Sequence, residues 1–209
     1  MRVSLGCIVL CLFSAFCVAQ ESTMPAPKAA DEAAVMQVFK ESFSQSLMFF
    51  KPAGFPLSVE RSDKQQIKKM KPWLKLGLIT KTKKRVRVKK MYHGSLRIVE
   101  VNGYLYELNQ ENQWVSEKGF YYGRPNMQAL ISVSEPQHVS TDFFSEAYLT
   151  WHVEDQPEWV KKVDKRKREH RPLKRAMQSK KQPFEKRIYI IHRDGKWRLW
   201  KEKGDQSLF

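Results

Sequence analysis

Cysteine stops early in this chain. Cys7, Cys11 and Cys17 are its three cysteines, so anything folded after them has no thiolate for nucleophilic catalysis or metal ligation and no pair for a disulfide. Acidic residues are missing from a second stretch: between Lys64 and Lys90 there is not one Asp or Glu. Histidine is present at His93, His138, His152, His170 and His192, but no two stand at the i, i+4 spacing of a helical metal site. No serine lies between glycines in a nucleophile elbow, and no glycine-rich loop opens a helix to cradle phosphate. Gly119 and Gly123 flank aromatics and read as turn punctuation.

The remaining routes to catalysis are sparse. His152 and Glu154 sit two apart on one predicted strand, a spacing open to proton transfer but more common for solvated surface residues. Glu154 with Glu158, or Glu107 with Glu111, would serve glycoside hydrolysis only across a cleft that the sequence does not announce. The reading is therefore non-enzymatic, with no cofactor and no metal.

Long apolar runs are also lacking, with one exception. Arg2 precedes the apolar stretch Val3 to Phe16, too short to span a bilayer comfortably, and Cys17-Val18-Ala19 ends in a small residue suited to cleavage before Gln20. This predicts a signal peptide over residues 1–19, a flexible leader over 20–30 and a single domain over 31–209. The expected location is periplasmic or secreted. A lipid anchor on Cys17 is disfavoured, because Phe16 occupies the position where a small residue belongs.

What the chain has in abundance is positive charge: 38 Lys and Arg against 22 Asp and Glu, a formal net charge of +16. Self-repulsion of that size tends to loosen a compact state unless the charges spread out or meet an anionic partner. The cations gather in two blocks, Lys64–Lys90 and Lys161–Lys181.

Read in order, Val35, Val38, Phe39, Phe43, Leu47 and Phe50 recur at helical spacing behind the N-cap Asp31, and Pro52 and Gly54 close that helix. Ser62 and Asp63 cap a second helix, with Ile67, Met70 and Leu74 on one face and Gly77 as its stop. Thr80 to Met91 predicts a basic edge strand. Asn102-Gly103 predicts a type I′ hairpin turn between Leu96–Val101 and Tyr104–Leu108, and Asp194-Gly195 another between Phe184–Ile191 and Lys196–Lys201. Trp114-Val115 with Phe120–Tyr122, and separately Met127–Val133, read as strands. Ala147, Leu149, Trp151 and Val153 alternate on one face of a central strand. Trp159-Val160 reads as a short anchor, and Lys161–Lys181 as a long exposed loop or marginal helix.

The implied class is α+β, with two N-terminal helices packed on a largely antiparallel, hairpin-rich sheet of about five to seven strands. The order helix, Gly77-Leu78-Ile79, basic strand and Asn102-Gly103 hairpin resembles the helix–strand–wing portion of a winged-helix domain over roughly Ser62 to Leu108. An export signal argues against chromosomal DNA as its target.

The leading functional expectation is an exported, strongly basic binding protein that contacts an anionic partner: an envelope polymer, an anionic membrane surface or an acidic protein. Lys68, Lys71, Lys75, Lys83, Arg85 and Arg87 from the first block, and Arg166, Arg168 and Arg171 from the second, are the expected contacts, acting through charge. Trp73, Tyr92, Tyr121, Tyr122, Trp159, Trp197 and Trp200 are candidates for stacking or interfacial surfaces beside the two basic blocks. A different class is a periplasmic inhibitor, immunity or assembly protein docking through apolar and aromatic surface, with the basic blocks steering association. A hydrolase without a recognisable motif is the third.

Overall fold

Strict alternation of buried and half-buried residues along 142–154 marks the strand on which the larger sheet is built. The computed structural model describes residues 25–164, 166–203 and 206–208. The expected signal peptide, the first residues of the leader, all three cysteines and Lys165 lie outside the described residues.

In chain order the elements are helix α1 (Glu32–Phe43), strands β1 (Met48–Phe50) and β2 (Leu57–Glu60), helix α2 (Lys64–Lys75), the long strands β3 (Ile79–Tyr92) and β4 (Ser95–Leu108), then β5 (Val115–Ser116), β6 (Gly119–Val133), β7 (Gln137–Val139) and β8 (Asp142–Glu154). Helix α3 (Glu158–Lys161) and a 3-10 turn (Arg168–His170) lead into α4 (Arg171–Gln178), and β9 (Phe184–Arg193) with β10 (Lys196–Leu199) completes the strands. All strand pairings are antiparallel. A seven-stranded sheet runs β1-β6-β8-β9-β10, with β5 beside β6 and β7 beside β8; a separate three-stranded sheet runs β2-β4-β3.

The class is thus α+β and mostly antiparallel, but two sheets replace the one expected, and the described residues hold four α-helices. The helices do not form one layer. Helix α1 lies against β6 and β10, whereas α2 touches β3 of the smaller sheet.

Local chemistry explains most boundaries. Asp31 Oδ1 accepts the Ala34 amide at 2.9 Å and starts α1. That helix stops at Phe43, short of expectation, and Met48–Phe50 becomes a strand whose Phe50 pairs with Phe120. Leu47 consequently leaves the apolar stripe and is exposed. Helix α2 ends in a Schellman motif: Gly77 has φ +67, its amide donates to Leu74 O at 3.0 Å, and the Leu78 amide donates to Trp73 O at 3.0 Å.

The Asn102-Gly103 expectation is corrected. These residues lie inside β4, which pairs with β3 over its whole length, and the chain reverses at His93 and Gly94, with φ 45 and 80. Gly103 answers a different demand. A Cβ there would stand 2.3 Å from Val59 O and 2.5 Å from Val86 Cγ2, so glycine lets β2 and the side chain of Val86 close on β4. With its hairpin turn displaced, the winged-helix resemblance fails. The Asp194-Gly195 turn forms as expected, with φ 55 and 75.

Phe120–Tyr122 and Met127–Val133 likewise belong to one strand, β6, which passes at Gly123 from pairing with β1 to pairing with β8 and carries register irregularities opposite β8. The second basic block is also more ordered than expected. Leu173 and Ala176 on α4 are buried, along with Val163, His170 and Ser179. Leu173, Ala176 and Met177 follow an i, i+3, i+4 pattern, enough to dock a two-turn helix whose other face is cationic. Ser179 Oγ accepts the Val153 amide at 2.9 Å and joins this helix to the end of β8.

Candidate anion-binding surface

Helix α2 turns Met70 and Trp73 inward and leaves Lys68, Lys71 and Lys75 exposed. The split follows from helical geometry, since positions 70 and 73 share one face and 68, 71 and 75 lie on the opposite side of the helix. On β3 a period of two places Lys81, Lys83, Arg85, Arg87 and Lys89 on one face, roughly 7 Å from each to the next. Lys81 Nζ sits 3.7 Å from the centroid of the Tyr104 ring, a cation–π contact that fixes the base of this row.

Among the described ring contacts one joins the two blocks. His170 is buried, with its centroid 5.2 Å from Trp73 at 77° and 6.2 Å from Phe50 at 81°. Its Nδ1 lies 2.8 Å from Asp164 O; a carbonyl only accepts, so Nδ1 carries the proton. Trp73 also packs on Phe50, Phe120 and Trp159, with centroids 5.5, 5.4 and 6.2 Å away. This aromatic group binds α2, β1, β6, α3 and the 3-10 turn together, and so ties the turn at His170, whose sequence neighbours Arg168 and Arg171 are exposed, to the helix that carries Lys68, Lys71 and Lys75.

Partners for the nine expected contact residues divide unevenly. Among the described residues no carboxylate lies within ion-pair distance of Lys68, Lys71, Lys75, Lys83, Arg168 or Arg171. Arg85 and Arg87 share one acid, Glu100, at 4.0 and 3.3 Å. Arg166 is engaged, its Nε 3.1 Å from Asp164 Oδ1, and that hydrogen bond holds the Asp164 carboxyl below the ordinary range. Arg85 and Arg87 stand about 20 Å or more along β3 from its first residue, so they extend the surface away from the Trp73–His170 contact.

The aromatic candidates are mostly structural. Trp73, Tyr122 and Trp159 are buried, Tyr121, Trp197 and Trp200 half-buried, and Tyr92 exposed. Trp159 Nε1 donates to Tyr121 O at 3.1 Å, tying α3 to β6.

Two clefts were invisible in the sequence. One, of about 510 Å³, lies among the end of α1, β1 and residues 206–208 and includes Tyr122, whose phenol burial pushes up to about 12. That phenol is neutral near pH 7 and is no base there. The other, of about 530 Å³, opens beside Ser134, Gln137, Ser145 and Glu146. Ser145 Oγ is buried without a partner, but the neighbouring Glu146 is held 2.8 Å from Arg187 Nη1 and no histidine lines the cleft. His152 and Glu154 form no couple either: Glu154 accepts from Asn126 Nδ2 at 2.9 Å and pairs with Arg124 at 3.3 Å. Among the described residues no group of His, Cys, Asp and Glu is disposed to hold a metal ion.

Comparison of the chain with protein-family models, with curated proteins and with solved structures found no match.

Proposed function

We propose that this chain is a non-enzymatic binding protein that holds an anionic partner through the joined basic blocks. One observation carries the reading: the Trp73–His170 contact ties together two elements distant in sequence, Lys68, Lys71 and Lys75 are exposed on one and Arg168 and Arg171 on the other, and no described carboxylate pairs with any of them. Ordinary surfaces intersperse charges of both signs. Here a buried contact ties two cation-bearing elements into one body, and repulsion among like charges is relieved when an anion binds. The row on β3 continues the same polarity. Export to the periplasm or the cell exterior belongs to this reading and rests on Arg2 and the apolar run behind it. Envelope polymer, anionic membrane surface and acidic protein all satisfy the charge requirement.

Retention of the full chain on a sulfated-polysaccharide matrix across a salt series tests it. The wild type is expected to elute only at high salt, and a variant carrying K68Q, K71Q, K75Q, R168Q and R171Q, all on exposed side chains, at clearly lower salt with an unchanged unfolding midpoint. Equal elution of the two proteins, or retention indifferent to salt, would overturn the reading.

A further inference from the structure

The far end of the β3–β4 hairpin combines charge with something that charge does not explain. Met91, Leu96 and Ile98 are 67%, 62% and 68% exposed, and Tyr92 is 48% exposed. In the register of the hairpin Met91 stands directly opposite Leu96, and Ile98 opposite Lys89, so these three apolar side chains share one face over the last two rungs. Tyr92, opposite Ser95, lies on the other face at the turn itself. Other large exposed apolar residues, such as Met36 on α1, Ile131 on β6 and Val139 on β7, are scattered over separate elements. At the tip they are contiguous.

Cations surround this end. Lys89 and Arg87 lie on the apolar face, and Lys90 and Arg97, which stand opposite each other, on the reverse face. Lys90 reaches back to Glu60 at 2.8 Å, and Glu100 answers Arg87. On the apolar face the next rung is Arg87 opposite Glu100, and Val99 and Val101 on the reverse face are half-buried, so the exposed apolar surface is confined to the end of the hairpin. His93 and Gly94 close it in a two-residue turn with both φ angles positive, which keeps the tip narrow.

We infer that this tip seats in the interfacial layer of a bilayer containing anionic lipid. The inference rests on the reading of the basic blocks as an anion-binding surface and names one partner for it. A soluble polyanion would meet the cations but leave Met91, Leu96 and Ile98 in water, whereas an anionic bilayer offers phosphate to the cations and an apolar boundary to the three side chains at once. The long stem of Lys89 lies beside Ile98 on the apolar face while its charge stays at the headgroups, Arg97 adds a cation from the reverse face, and Tyr92 has the amphipathic ring suited to that depth. Penetration is shallow. At its tip the hairpin is two strands wide, and its outer edges carry backbone groups that hydrocarbon would leave unsatisfied. Among the described residues no helix is long and apolar enough to cross a membrane.

Co-flotation of the full chain with phosphatidylcholine vesicles, with and without phosphatidylglycerol, tests the inference beside the polysaccharide matrix. A variant carrying M91S, L96S and I98S, all at exposed positions, is the comparison. The wild type is expected to float with the anionic vesicles, and the variant to bind them at least about tenfold more weakly while eluting from the matrix at the same salt as wild type. Equal vesicle binding by the two proteins overturns the seated tip. Matrix retention without any vesicle binding overturns it too and leaves the anion-binding reading standing; loss of both removes that reading as well. A concentration-dependent dimer, abolished by the triple variant in sedimentation and seen without vesicle binding, would assign the tip to a second copy of the chain and also overturn the inference.

Discussion

Trp73 stands edge-on to His170, ring centroids 5.2 Å apart, and this contact between α2 and the 3-10 turn before α4 is where the two cationic segments of the chain become neighbours. Trp73 is 2% exposed and His170 3%. Neither ring is available to a partner; their role is to hold the two elements together.

The first prediction concerns that contact. Trp73→Ala empties a site bounded by Phe50, Phe120, Trp159 and His170, and is expected to cost about 3–5 kcal/mol in urea unfolding. Trp73→Phe keeps most of the packing and is expected to elute from the polysaccharide matrix at the wild-type salt. A loss under about 1 kcal/mol for the alanine variant would show that the aromatic group is not a joint of the fold.

A second prediction separates two roles for glycine. Gly94 needs its positive φ and has open space beside it, so Gly94→Ala is expected to cost about 1–2 kcal/mol through backbone strain alone. Gly103→Ala meets Val59 O and Val86 Cγ2, and is expected to cost about 1–3 kcal/mol or more. Trimming the side chain with Val86→Ala does not rescue it, because the backbone oxygen remains. Asn102→Thr, at an exposed strand position, stays within about 0.5 kcal/mol of wild type. A large loss at Asn102, measured by the same unfolding curves, would restore the turn that the dipeptide advertises.

The third prediction is a pH dependence. Asp142 accepts two hydrogen bonds from Arg193, from Nη2 at 2.7 Å and Nε at 3.1 Å, and these hold its carboxyl below the ordinary value. A carboxylate depressed in the folded state contributes stability that is complete above the unfolded pKa, near 3.9, and is lost as pH falls through the lower folded value. Asp142→Asn is therefore expected to be less stable than wild type near neutrality, with the gap closing on acidification through that window. Unfolding midpoints taken along a pH series check it, and a gap that persists unchanged at the acid end refutes the assignment.

Periodicity made much of the architecture legible. The alternation at Ala147, Leu149, Trp151 and Val153 is visible in the residues because a strand buried on one face has to alternate, and β8 lies between β6 and β9 as a central strand should. The caps at Asp31 and Asp63 and the stop at Gly77 were readable for a similar reason, since each answers a local hydrogen-bonding need. Asn102-Gly103 misled because glycine serves two ends, positive φ and close approach, and a dipeptide cannot say which. Of the nine expected contact residues, Lys68 and Arg168 were readable as cations, whereas the neutralisation of Arg166 by Asp164 depends on side-chain placement. The exposed tip went unseen because Leu96 and Ile98 look like the buried residues of any strand.

By itself the amino-acid order determined the strong positive charge, its concentration in two acid-free or acid-poor segments, and the antiparallel α+β character, because charge is additive and local patterns impose local periods. The tertiary structure alone decided that the two segments touch, through Trp73 and His170, that β4 runs unbroken through Gly103, and that Met91, Leu96 and Ile98 face solvent. Each of these depends on which surfaces of distant elements come together, and burial is a property of that meeting rather than of any residue in it.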